Sequence, residues 1–93
     1  MKPVVRWLPE AWDRYQTLTE EQQAQARRLI AALLLSPQAG KFWHTDIAGR
    51  PIWFASAVDT HVIYRVLWYQ RNTTIYVLDV LVFPYTHELE PPA

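Results

Sequence analysis

From His61 to Phe83 the chain reads "HVIYRVLWYQRNTTIYVLDVLVF", two long β-prone runs separated by a polar break. Runs of this kind, joined by a few turn-forming residues, predict an antiparallel hairpin with strands at His61–Tyr69 and Thr74–Phe83. A two-stranded ribbon is not stable alone in water, so the hairpin needs further strands and a cover. Ile52 to Ala57, separated from His61 by "VDT", supplies a third strand. Strand side chains alternate between faces. Val62, Tyr64, Val66 and Trp68 fall on one face, with Tyr76, Leu78, Val80 and Val82 as the matching set on the next strand. Both sets are wholly apolar or aromatic and are assigned to the core. The other face carries His61, Arg65 and Asp79 among apolar neighbours. With "RNT" as the loop, Gln70 pairs with Thr74 and Arg65 lies opposite Asp79. Opposite charges across a hairpin attract, so Arg65 and Asp79 are read as a structural ion pair. The same register sets His61 opposite Phe83.

The cover comes from the first half of the chain. "VVRWL" at Val4–Leu8 is a short strand, with Arg6 a solvated edge residue. Pro9 suits the first position of a helix, and Leu8, Ala11, Trp12, Tyr15 and Leu18 recur at helical spacing. Thr19 and Gln22 form a capping-box pattern at the start of a second helix. Its apolar stripe is Ala26, Leu29, Ile30, Leu33 and Leu34, and Ser36-Pro37 ends it. The short link makes the two helices an antiparallel hairpin. "QAGKFWHTDIAGRP" is a loop with a short extended piece around Phe42–Asp46. The order β-α-α-β-β-β predicts an α+β fold, a helical hairpin packed on one face of an antiparallel sheet.

The 93 residues suit a single domain spanning 1–93, with a polar frayed tail at 86–93. Nine basic and nine acidic residues cancel, so a phosphate-gripping surface would have to be local. The chain has no cysteine, which excludes disulfides and thiolate metal sites. No apolar run is long enough to span a bilayer and the first residues lack a secretory core, which predicts a soluble cytoplasmic protein. His44 has no ligand-spaced partner, so neither metal nor cofactor is expected. Ser36 and Ser56 carry no local nucleophile signature. Trp43 and Trp53 are either core residues or anchors for a partner.

The element order, the passage "GKFWHTDIAGRPIWFASAVDTHVIYRVLWY" and the later "YVLDVLVFPY" together resemble the RelE/ParE toxin superfamily, the toxin halves of bacterial type II toxin–antitoxin pairs. "DTHVIYRV" is the most specific piece, and the likeness covers nearly the whole chain. The resemblance implies a working site on the open sheet face and the C-terminal end, and an antitoxin partner lying across the domain. One branch of the superfamily cuts messenger RNA on the ribosome, and another poisons DNA gyrase. The sequence departs from the RNA-cleaving pattern: His61 stands where an Arg is common, Phe54 and Ser56 replace basic residues, and Phe83 lies where a later Arg is found.

RNA cleavage by that route needs a proton acceptor for the 2′-hydroxyl, a donor for the leaving oxygen and fixed positive charge at the phosphate. In this chain a nuclease would use His61 and His87 for proton transfer, Arg50 or Lys41 to hold the phosphate and Tyr85 for stacking or hydrogen bonding; the alternative is that His61 only caps the turn after Asp59-Thr60 and His87 sits in the tail. Three readings remain open: a ribosome-dependent RNA nuclease, a gyrase poison acting by binding, and an eroded toxin domain that chiefly binds its antitoxin.

Overall fold

The computed structural model describes residues 3–69 and 72–83. In chain order the elements are β1 (Val4–Trp7), α1 (Pro9–Gln16), α2 (Glu20–Leu35), β2 (Lys41–Thr45), β3 (Pro51–Ala57), β4 (Thr60–Tyr69) and β5 (Asn72–Val82). The tail expected at 86–93, together with Tyr85 and His87, lies outside the described residues.

Local chemistry sets the helices. Pro9 opens α1, where its missing N–H leaves nothing unsatisfied. At α2 the Gln22 N–H donates to Thr19 Oγ1 (3.2 Å) and the Thr19 N–H donates to Gln22 Oε1 (3.1 Å), completing the capping box. The helix stops at Leu35, before the Ser36-Pro37 pair.

All five strands form one sheet in the order β1-β5-β4-β3-β2. The extended piece around Phe42 is a full strand, β2, paired antiparallel with β3. The sheet is mixed rather than purely antiparallel, because β1 runs parallel to β5, with Val4 beside Thr74 and Trp7 beside Val77. The residues of β1 make it a strand, but nothing local in "VVRW" selects a neighbour seventy residues away.

The register of the long hairpin also differs from expectation. Pairing begins at Tyr69–Asn72, so the connection is shorter than "RNT" suggested and Arg65 lies opposite Tyr76, not Asp79. The ladder then slips: Tyr64 pairs with Val77 but Ile63 with Asp79, leaving Leu78 as a bulged extra residue. His61 consequently pairs with Leu81 rather than Phe83.

The bulge decides which side chains face the helices. Ala11 and Tyr15 of α1 and Ala26, Ile30 and Leu33 of α2 pack on Val62 and Tyr64 of β4 and on Ile75, Val77 and Val80 of β5. The expected core set holds for Val62, Tyr64, Val66 and Val80, whereas Ile75 and Val77 replace Tyr76 and Leu78, Val82 lies outside the cluster and Trp68 is 61% exposed. Each of the larger aliphatic side chains among them contributes about 1.5–3 kcal/mol on burial. A second apolar cluster occupies the other face: Ile52, Phe54 and Ile63, with Trp43, Leu78, Leu81 and Phe83 against it. Both tryptophans raised as partner anchors are half-buried packing residues, Trp53 on the helix side and Trp43 on the other.

Candidate functional site

The face away from the helices holds two polar arrangements. At one end, His61 at the start of β4 is wholly enclosed, 0% exposed. Its Nδ1 is 2.7 Å from Ser56 Oγ, and its Nε2 is 2.7 Å from the Phe83 carbonyl oxygen. The Phe83 ring lies against the imidazole, with centroids 4.5 Å apart. The Phe83 N–H donates to Asp59 O at 2.9 Å, so the end of β5 is fastened to the β3–β4 turn as well as to His61. That turn is tight: Ala57 pairs with Thr60, and Val58 takes a positive φ of 56°. A β-branched residue is disfavoured there, and the conformation stores strain.

At the other end, Asp46 organises the turn between β2 and β3. Its Oδ1 accepts the N–H groups of Ala48 and Arg50, each at 2.9 Å. Its Oδ2 accepts from Arg50 Nε and from Arg65 Nη2, both at 3.0 Å. Gly49, at φ 80°, makes the reversal without strain. The Arg50 N–H above all, then the Ala48 N–H and the Arg50 guanidinium, hold the Asp46 carboxyl below its ordinary 3.8; partial burial works in the opposite sense. Arg65 therefore has an ion pair, but with Asp46 instead of Asp79. Asp79 is taken by Arg14 of α1, Nε to Oδ1 2.9 Å. The slipped ladder is the physical reason, since it moves Asp79 away from Arg65 and opposite Ile63.

Tyr64, the tyrosine of "DTHVIYRV", is not on the open face. It is fully buried on the helix side, where its hydroxyl donates to Pro37 O (3.0 Å) and accepts from the Gly40 N–H (3.2 Å). It thereby ties the α2–β2 connection to the sheet. Burial raises its pKa above 10.0, with the Gly40 N–H working the other way. A side chain on Gly40 would place Cβ 2.6 Å from Phe54 O and against the Tyr64 ring, so the close approach requires glycine.

The residues a nuclease would use are thus spread out. Arg50 precedes Pro51, whereas His61 pairs with Ser56, five positions further along β3. At the strand rise the six positions from Arg50 to Ser56 amount to about 20 Å. Lys41 is nearer, paired with Phe54. Tyr85 and His87 are outside the described residues. Among the described residues no group of three or more His, Cys, Asp or Glu side chains is placed to hold a metal ion, and no helix is long and apolar enough to cross a membrane. Sequence reading missed Asp46 as the partner of both arginines. A signal was available in "DIAGRP", an Asp ahead of a glycine turn and an Arg.

Comparison with known proteins supplies the class of fold. No protein-family model matches the chain, and no curated protein matches it. Among solved structures it is similar to a YoeB/ParE toxin from Agrobacterium tumefaciens, with a TM-score of 0.67 and 23% identity over 89% of this chain and 99% of that one. The chain has the RelE/ParE-like toxin fold: two helices on one face of a mixed five-stranded sheet.

Proposed function

We propose that the protein is the toxin component of a type II toxin–antitoxin pair, working in the cytoplasm and held silent by a cognate antitoxin protein. The likeness to a YoeB/ParE toxin over 89% of the chain carries this reading. Inhibition by binding a cellular target such as DNA gyrase is the mode the site favours. His61 is enclosed, with both ring nitrogens engaged, and Arg50 and Arg65 share the Asp46 carboxylate. Cleavage of ribosome-bound message is the second reading, and one observation favours it. Phe83 touches His61, so the chain that continues to Tyr85 and His87 starts at the imidazole. In that reading His61 and His87 transfer protons while Lys41 and Arg50 hold the phosphate, and the Phe83 contact must open first.

Inducing the chain alone, and with the product of the adjacent small open reading frame, tests the class. Growth arrest relieved by a co-purifying neighbour supports it; harmless expression with no co-purifying neighbour overturns it. Mapping message ends after induction separates the modes. Cuts that disappear in a His61→Ala, His87→Ala double variant establish the nuclease, and arrest without cuts in either form establishes binding.

A further inference from the structure

Ser56 and His61 face one another across the β3–β4 ladder, with Ser56 Oγ 2.7 Å from Nδ1. The opposite ring nitrogen, Nε2, is 2.7 Å from the Phe83 carbonyl oxygen. A carbonyl can only accept, so Nε2 carries the ring hydrogen. The lone pair of the neutral imidazole is then on Nδ1, directed at the Ser56 hydroxyl. Hydroxyl, base and orienting group stand in line, the arrangement by which a serine is made nucleophilic. Exposure divides the pair usefully: His61 is 0% exposed, while Ser56 is open to solvent.

We propose that Ser56 is a nucleophile activated by His61, and that it takes up the acyl group of an ester. Oγ attacks the ester carbonyl carbon while its proton passes to His61 Nδ1. The new Oγ–C bond forms, the ester C–O bond breaks, and Nδ1 returns the proton to the departing oxygen. The products are acyl-Ser56 and an alcohol, with no oxidant or co-reactant consumed. Phe83 O stabilises the transient imidazolium by accepting from Nε2. Sequence gave no hint of this, because the two residues meet only through strand pairing.

The experiment treats the full chain with p-nitrophenyl butyrate, follows p-nitrophenolate release and maps the acylated peptides. Ser36, the other serine of the chain and the exposed C-cap of α2, is an internal reference. Ser56 is expected to acylate at least about 100-fold faster than Ser36, the lower end of what a general base supplies. Ser56→Ala removes the burst, and a folded His61→Gln removes it with Ser56 still in place. Should His61→Gln fail to fold, the rate–pH profile of the unaltered chain decides. A rate that rises through one ionisation to a plateau supports the base, and one that climbs with hydroxide and never levels overturns it. Equal acylation of Ser36 and Ser56, or a folded His61→Gln that reacts at the native rate, also overturns it. A hydroxyl that only satisfied a buried ring nitrogen would give those results.

Discussion

Phe83 is bound to His61 through both its backbone and its ring: its carbonyl oxygen accepts from Nε2 at 2.7 Å, and the two rings lie 4.5 Å apart. His61→Ala removes both contacts and strands the carbonyl. A loss of roughly 1–3 kcal/mol is expected from the unpaired group, on top of the cavity. Urea unfolding measures the loss, and faster hydrogen exchange at the Phe83 amide locates it.

Asp46 should govern acid stability. Its carboxyl is held below 3.8 in the fold, so it binds a proton less readily folded than unfolded. Its stabilising contribution is complete above the unfolded value and is lost as pH falls through the lower, folded one. Asp46→Asn should flatten the acid limb of a plot of urea midpoint against pH. Arg65→Ala should destabilise more than Arg50→Ala, because the Arg65 side chain is 17% exposed and that of Arg50 is 55% exposed.

The Tyr64 hydroxyl serves the chain between α2 and β2. Tyr64→Phe leaves Pro37 O and the Gly40 N–H without their partner, an expected cost of about 1–3 kcal/mol. Gly40→Ala should destabilise by a similar amount through overpacking. Adding Tyr64→Phe to Gly40→Ala should recover only part of that loss, since Phe54 O still blocks the new Cβ. Thermal unfolding of the two single variants and the double variant checks all three.

Among the described residues, Val58 is the one position where an added glycine should help. At φ 56° its branched side chain is strained, and it is 79% exposed, so little packing is lost. Val58→Gly is expected to stabilise by about 1 kcal/mol, the relief of strain less the entropy of the glycine. A lowered melting temperature would contradict this.

Leu33 lies at the centre of the helix–sheet contact, 1% exposed. Leu33→Ala should cost roughly 2–5 kcal/mol, which equilibrium unfolding measures.

The parts legible in the sequence were those decided within a few residues. Pro9, the Thr19–Gln22 box and the Ser36-Pro37 stop gave the helices. Alternation gave the face of β4 correctly, because Arg65 and His61 mark its other side. On β5 the stretch Ile75–Leu78 is apolar on both faces, so the pattern could not choose a side or reveal the bulge. One displaced register then produced the mistaken Arg65–Asp79 pair. Asp46 and Ser56 were passed over for a related reason. Their partners are brought to them by neighbouring strands, Arg65 across the sheet and His61 across a turn.

The parallel pairing of β1 with β5 has a consequence for the order in which the protein can be completed. β1 leaves the ribosome before the strand it pairs with, which follows some seventy residues later. Until β5 has left the ribosome, β1 has no neighbour, and Ala11 and Tyr15 have no Val77 or Val80 to cover. Contacts so distant along the chain form slowly. The finished surface therefore cannot form until β5 has emerged, and an interrupted translation product ending before Asn72 would lack the β4–β5 seam.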